Sequence, residues 1–217
     1  MKTTNRENKT CIIIGNGEFP ISPLAIKEIK NNNYDILFCD GAIDQFLESD
    51  FATEINLDRI RAIIGDLDSI SESSRKQFEK KLVVSCEQNT NDLEKAVLYA
   101  KSINKNKIIF FAITGKREDH MLANFSLLFD FMNDFDVSCF TNTGKFIGFK
   151  NKITLESYPG QNCSVFADNK NTEVSCEELK WPLKNHKFQN LWQGSLNIST
   201  SSKLNFHCTG KAIIFLS

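Results

Sequence analysis

The 217-residue chain carries almost no net charge (-1), only 4 prolines and 3 histidines, and no C-x-x-C pair. Near-neutrality removes the long-range attraction that basic proteins have for nucleic acid or an anionic membrane, so any phosphate must be gripped locally. No stretch approaches the apolar length of a membrane span, and the opening MKTTNRENKT lacks the apolar core of a signal peptide. A cytoplasmic location is the expectation. The seven cysteines (Cys11, Cys39, Cys86, Cys139, Cys163, Cys176, Cys208) are odd in number and scattered, which argues against a disulfide framework and a zinc site. Most of them read as reduced, buried small hydrophobes. His120, His186 and His207 are too far apart for an H-E-x-x-H ligand set. Two phosphate-binding devices are also missing. GNGE starts like G-x-G-x-x-G, but Pro20 takes the third glycine's place. TGKR is no Walker A loop, because Phe110 stands at its first glycine and Arg117 at its hydroxyl residue.

What is present is a soluble, globular composition, 41% hydrophobic and 24% charged, enough for one domain or two small ones. Short apolar runs at residues 11–14, 36–39, 61–64, 82–84, 108–113 and 137–140 have the length and texture of strands buried on both faces. Helical patterns lie between them. SPLAIKEIKNN offers Ser22 as N-cap, Pro23 at the first helical position, and Leu24, Ala25 and Ile29 as an apolar stripe. NDLEKAVLYAKSIN and EDHMLANFSLLFDFM are longer helical patterns. Alternating strands and helices predict a parallel α/β sheet over roughly the first 145 residues. After TNTGKF the helical period vanishes, and KITLES, NCSVFA, SLNIST, LNFHCT and AIIFLS alternate between Gly, Pro and Asn turns. That predicts an α/β domain over 1–150 and an all-β domain over 151–217.

In an open parallel sheet, ligands bind at the carboxyl ends of the strands. At those ends the sequence sets Gly15 and Gly17, Asp40, the pair Asp66 and Asp68 in GDLDSI, Gln88 to Asp92, and Lys116 with Arg117. Four acids, one amide and a basic pair thus share one rim. Unpaired carboxylates that crowd together raise one another's pKa unless a cation sits among them. Mg2+ suits such a set, because it takes few carboxylates and completes its shell with water and substrate phosphate. Each piece also has an ordinary reading: Asp66, Asp68 and Asp40 as turn formers, Asp92 as a partner of a helix dipole, Lys116 and Arg117 as solvated charges. Their shared position favours function.

These residues resemble the thiamine pyrophosphokinase family. The resemblance rests on Asp40-Gly41-Ala42, on Gly65-Asp66-Leu67-Asp68-Ser69-Ile70, and on Gln88 followed by Asp92-Leu93-Glu94-Lys95-Ala96. It continues through Gly115-Lys116-Arg117-Glu118-Asp119-His120 with Ala123-Asn124, then Leu179-Lys180-Trp181-Pro182-Leu183 and Ser199-Thr200-Ser201-Ser202. The motifs run in order along nearly the whole chain. Asn91 stands where the family has Thr, Lys116 where it has the second glycine of G-G-R, and Ser202 where it has Asn.

The resemblance implies a Rossmann-like N-terminal domain, a C-terminal β-sandwich that binds thiamine and dimerises, and a homodimer with its active site across the subunits. It implies conversion of ATP and thiamine to AMP and thiamine diphosphate. On that basis Asp66, Asp68 and Asp92 are the expected Mg2+ ligands, Arg117 a cation on the polyphosphate, and Asp119 its orienting partner. Lys116 adds charge, while Asp40 and Gln88 share the rim and Gly15 and Gly17 let backbone approach the nucleotide. Trp181 is the expected face for the thiazolium cation, with Ser199 and Ser201 on the aminopyrimidine. Two rivals stay open: another Mg-dependent enzyme, such as a nucleotide-sugar transferase or a phosphohydrolase, and a non-catalytic sensor of nucleotide or thiamine.

Overall fold

The computed structural model describes residues 9–31, 33–53, 55–87 and 89–217. The chain divides into two compact units, one of Met1–Asn124 with Phe140–Asn142, the other of Phe125–Cys139 with Thr143–Ser217. The first holds β1 (Thr10–Ile14), α1 (Pro23–Asn31), β2 (Asp35–Cys39), α2 (Ala42–Glu48), β3 (Ile60–Gly65), α3 (Glu72–Gln77), β4 (Leu82–Val84), α4 (Asp92–Ser102) and β5 (Lys107–Phe111). Helix α5 (Glu118–Phe131) and β6 (Asp136–Phe140) each contribute residues to both units.

The five strands β4-β3-β2-β1-β5 pair in parallel in that order. Each carries an apolar run, and Ile12, Ile13, Ile36, Phe38, Ile63 and Phe110 are fully buried, as a sheet covered on both faces requires; the exception to the expectation is the edge strand β4, which is only half-buried and leaves Val84 exposed. The chain steps outward from β1 to β4 and then returns to the other side of β1 for β5. Strand order therefore reverses at β1, and the carboxyl ends of β1, β2 and β5 flank a crevice.

The helices follow local rules. Ser22 Oγ accepts the Ala25 N–H at 3.3 Å and Pro23 opens α1, as expected. Ala25 and Ile29 are buried, but Leu24 is 52% exposed; Ile26 packs against the core from the edge of the face in its place. Helix α4 begins with a full capping box, in which Asn91 Oδ1 accepts the Glu94 N–H at 2.9 Å and Glu94 Oε2 accepts the Asn91 N–H at 3.2 Å. Asn caps a helix at least as well as Thr, so the Asn91 departure preserves this start. Helices α2 and α3, of seven and six residues, are additions to the pattern that the sequence predicts.

The loops after β1 and β5 lie in close contact. Gly15 N–H donates to Phe111 O at 2.9 Å, Gly17 N–H to Ala112 O at 2.6 Å and Glu18 N–H to Thr114 O at 2.7 Å. A Cβ on Gly17 would sit 2.3 Å from Thr114 O and 2.5 Å from Ala112 O. Glycine is needed here first for loop-to-loop packing.

The second unit contains β7 (Lys145–Glu156), β8 (Asn162–Ala167), β9 (Glu173–Cys176), β10 (Leu183–Lys187), β11 (Asn197–Ile198) and β12 (Lys203–Leu216). LNFHCT and AIIFLS form one strand, β12, which pairs antiparallel with β7 on either side of an irregularity between His207 and Lys211. Beyond that irregularity β12 also pairs with β8; before it, with β9. Strand β10 adds to β9, and β11 to β8. Phe149, Val165, Val174, Phe206 and Ile214 fill this unit's core. SLNIST contributes only the two residues of β11 as strand, and β9 and β10 are strands beyond those that the sequence predicts.

Gly17→Ala should cost about 2–4 kcal/mol in urea unfolding, because backbone oxygens on a neighbouring loop must move. Gly160, at φ +94° with nothing within 4 Å of where a Cβ would sit, is the contrasting case. Gly160→Ala should lose only about 1 kcal/mol, from backbone strain alone.

Candidate active site

At the end of β2 the chain turns through Asp40 at φ +43°, a region Asp enters more readily than most residues. Its N–H donates to Ile64 O at 2.8 Å, which fixes it beside the end of β3. Asp40 is 6% exposed, and its Oδ1 is buried without a hydrogen-bond partner. Burial pushes its carboxyl above the ordinary range; the Ser69 hydrogen bond opposes this, and the charge of Asp92 adds to it.

Strand β3 ends at Gly65, where a Cβ would come within 2.9 Å of the Asp40 Cβ. In the next turn Leu67 has a left-handed backbone, φ +66°, and a side chain only 1% exposed. Leu67 thus anchors the turn in the core, while Asp66 and Asp68 on either side reach solvent. Asp68 N–H donates to Asp66 Oδ1 at 3.3 Å, and Ser69 Oγ to Asp68 Oδ1 at 2.9 Å. Carboxylate oxygens of Asp40, Asp66 and Asp68 come within 4.8 Å of one another. Three oxygen donors, one of them buried and unpartnered, suit a hard divalent cation such as Mg2+.

Of the expected trio, Asp66 and Asp68 lie in this cluster together with Asp40. Asp92, the first residue of α4, falls outside that cluster and pairs with Lys95 Nζ at 3.1 Å. The Lys95 side chain is only 7% exposed. Burial works against its ammonium, but the Asp92 hydrogen bond and the charges of Asp92, Asp66 and Glu87 outweigh this and raise its pKa. The sequence gives no sign of this role for Lys95, since a Lys three residues after an Asp on a helix normally marks a solvated pair.

A cavity of about 420 Å³ opens at the carboxyl ends of β1, β2 and β5, lined by Gly15, Gly17, Asp40, Asp92, Lys116 and Arg117 among others. His120 and Asn124 also line it, and the sequence assigns neither a role; Asn124 Nδ2 donates to Ile113 O at 2.9 Å. Gly115 and Lys116 both have left-handed backbones, φ +77° and +59°, so the lysine keeps a conformation suited to glycine. Its Nζ donates to Asn16 O at 3.0 Å. Arg117 forks onto Asp119, with Nε to Oδ1 at 3.1 Å and Nη2 to Oδ2 at 2.6 Å. That bond and the His120 N–H hold the Asp119 carboxyl down to about 2. Gln88 lies outside the described residues.

Trp181, Ser199 and Ser201 belong to the second unit. Trp181 is 55% exposed, its N–H donating to Asn197 Oδ1 at 3.2 Å, and the Lys180 ammonium stands 4.8 Å from its ring centroid. Ser199 is 1% exposed; its Oγ donates to Ser201 O at 2.9 Å and accepts the Ser201 N–H at 3.3 Å. The Ser199 hydroxyl is therefore spent within its own turn, while Ser201 is half-buried.

Residues 26–140 match the family model for the catalytic domain of thiamin pyrophosphokinase, and residues 144–215 match the model for its substrate-binding domain. A 69-residue stretch is 39% identical to thiamine pyrophosphokinase of Bacillus subtilis (strain 168), covering 30% of this chain and 32% of that protein. Among solved structures, the Bacillus subtilis thiamine pyrophosphokinase superposes with a TM-score of 0.77 at 22% identity, covering 96% of this chain and 98% of that one. The yeast enzyme gives 0.76 at 17% identity (98% and 87% covered), and that from Candida albicans 0.74 at 17% (95% and 89%).

The buried Asp40 carboxyl is a cost to the metal-free fold. Since its folded pKa is raised, its contribution to stability is fully present below the ordinary 3.8 and is lost as pH rises through the folded pKa. Asp40→Asn, which also tolerates the left-handed backbone, should unfold at higher urea than the wild type at pH 7 in chelator, by about 1 kcal/mol. The advantage should vanish at acid pH, and saturating Mg2+ should narrow it.

Proposed function

Since the chain belongs to the thiamin pyrophosphokinase family, we propose that it transfers the pyrophosphoryl group of ATP to the hydroxyl of thiamine, giving thiamine diphosphate and AMP. In this reaction the thiamine oxygen bonds to the β-phosphorus, the bond from that phosphorus to the α-phosphate oxygen breaks, AMP leaves, and the hydroxyl proton is released. Catalysis of this kind is mostly positioning and relief of charge. The observation that carries the reading is the unpartnered Asp40 Oδ1, gathered with Asp66 and Asp68 beside a cavity that also bears two cations.

Asp66, Asp68 and Asp92 are the side chains that would hold Mg2+, with Asp40, whose oxygens gather with those of Asp66 and Asp68, as a further donor. Bound there, the ion would neutralise polyphosphate charge. Lys116 and Arg117 bind phosphate oxygens, and Asp119 keeps the Arg117 fork oriented. Gly15 and Gly17 keep side-chain bulk away from the nucleotide's path. Gln88 is proposed to donate to phosphate or ribose. Residues 1–150 serve as a Rossmann-like catalytic domain for ATP and Mg2+, and 151–217 as a β-sandwich for thiamine and dimerisation. Trp181 supplies an aromatic face for the thiazolium, and the segment of Ser199 and Ser201 meets the aminopyrimidine. The working form is a cytoplasmic homodimer. Among the described residues no helix is long and apolar enough to cross a membrane.

AMP release from MgATP, with and without thiamine, tests the assignment. We expect thiamine-dependent AMP that disappears on chelation of Mg2+. Phosphate release that ignores thiamine would favour a hydrolase, and binding of thiamine without AMP would favour a sensor. Asp66→Asn should abolish turnover while leaving the far-UV circular dichroism and urea midpoint close to wild type; near-normal turnover would remove Asp66 from the metal site.

A further inference from the structure

Two side chains outside the cavity wall grip the turn that presents Asp66 and Asp68. Asp44, in the first turn of α2, receives three donors from the start of α3: the Ser71 N–H at 2.8 Å on Oδ2, and the Ser71 and Ser74 hydroxyls at 2.5 Å each on Oδ1. Ser71 is at the same time the N-cap of α3, accepting the Ser74 N–H at 3.2 Å. Burial alone would raise the Asp44 carboxyl, but the two hydroxyls and the amide outweigh it and leave the pKa below the ordinary value. From within α3, Arg75 Nη2 donates to Leu67 O, the carbonyl at the centre of the D-x-D turn.

These contacts close a loop through the site. Asp40 leads through Gly41 into α2, whose Asp44 holds Ser71; Ser71 lies three residues after Asp68; and Arg75 reaches back to Leu67 between the two acids. The segment bearing Asp40 and the segment bearing Asp66 and Asp68 are thereby joined by charge-assisted bonds. Three like charges within 4.8 Å push apart. An outer brace that resists this has a direct consequence for any cation held between them.

We infer that Asp44 and Arg75 are positioning residues that set the spacing of Asp40, Asp66 and Asp68, and through it the affinity for a divalent cation. The inference rests on the reading that these three carboxylates hold a metal.

The experiment is Mn2+ binding to the ligand-free protein, followed by electron paramagnetic resonance, for wild type, Asp44→Ala, Asp44→Asn and Arg75→Met, with urea midpoints measured alongside. Removing an outer partner of a metal site typically weakens affinity roughly tenfold or more, and that is expected for Asp44→Ala. Asp44→Asn keeps one acceptor oxygen and should fall between it and wild type. Arg75→Met should also weaken binding. The Mg2+ concentration for half-maximal turnover should rise in the same order, with the maximal rate largely recovered at high Mg2+. Gly160→Ala is the control for lost stability without lost bracing. Unchanged Mn2+ affinity in folded Asp44→Ala, or an equal loss in Gly160→Ala, would overturn the inference and leave the metal reading standing. If wild type itself binds no Mn2+, the metal reading falls and takes this inference with it. Should Asp44→Ala fail to fold, Asp44→Asn and Arg75→Met decide by the same criterion.

Discussion

Mutual repulsion among Asp40, Asp66 and Asp68 is the constraint around which this edge of the sheet is built. Carboxylates drift apart unless backbone holds them, and here the backbone does so at several points. Asp40 is pinned to β3 through its amide, Gly65 makes room for its side chain, and Leu67 is sunk into the core. Two of these positions, Asp40 and Leu67, adopt left-handed backbone without being glycine. Non-glycine residues in that region cost stability and persist where the surroundings over-determine them. The site is therefore paid for by the same apolar burial that makes the sheet.

The sheet order explains why the polar groups meet where they do. With β1 flanked by β2 and β5, three loops from distant parts of the chain emerge side by side. Helix N-termini arrive there too: α4 begins at Asp92, and α5 just after Arg117. Anionic ligands favour such ends, while the acids among them favour a cation. Opposite preferences a few ångströms apart match a ligand that is itself an anion carried with a cation.

Much of this was legible in the sequence because strands buried on both faces read as unbroken apolar runs. Thr10–Ile14, Asp35–Cys39 and Lys107–Phe111 lie within a residue or two of the runs that predicted them. Helices α2 and α3 escaped because they are too short to show a helical period, and LKNHK in β10 has too little apolar alternation to read as a strand. The rim acids could be placed at strand ends, but not their pairing. Asp40 and Asp66 are 26 residues apart in sequence, and only the register between β2 and β3 decides that they meet. Lys95 was invisible for a different reason. Its burial depends on how α4 packs, which LEKA does not encode by itself. For Lys116, the sequence showed a lysine where the family has glycine, and the structure gives it a left-handed backbone of the kind glycine favours.

In the second unit, β12 borders β7, β8 and β9 at once, changing partners near its irregularity. A strand shared in this way couples the pairings on either side, since loosening one exposes the hydrogen bonds and apolar side chains of the next. Opening one pairing therefore costs the others, and the amides of β7, β8 and β12 are expected to exchange together. Around β11 the chain is held differently, with Trp181 and Asn197 joined by backbone-to-side-chain bonds. The long strand thus rests on shared pairings, whereas the segments carrying Trp181 and Ser199 rest on local side-chain hydrogen bonds.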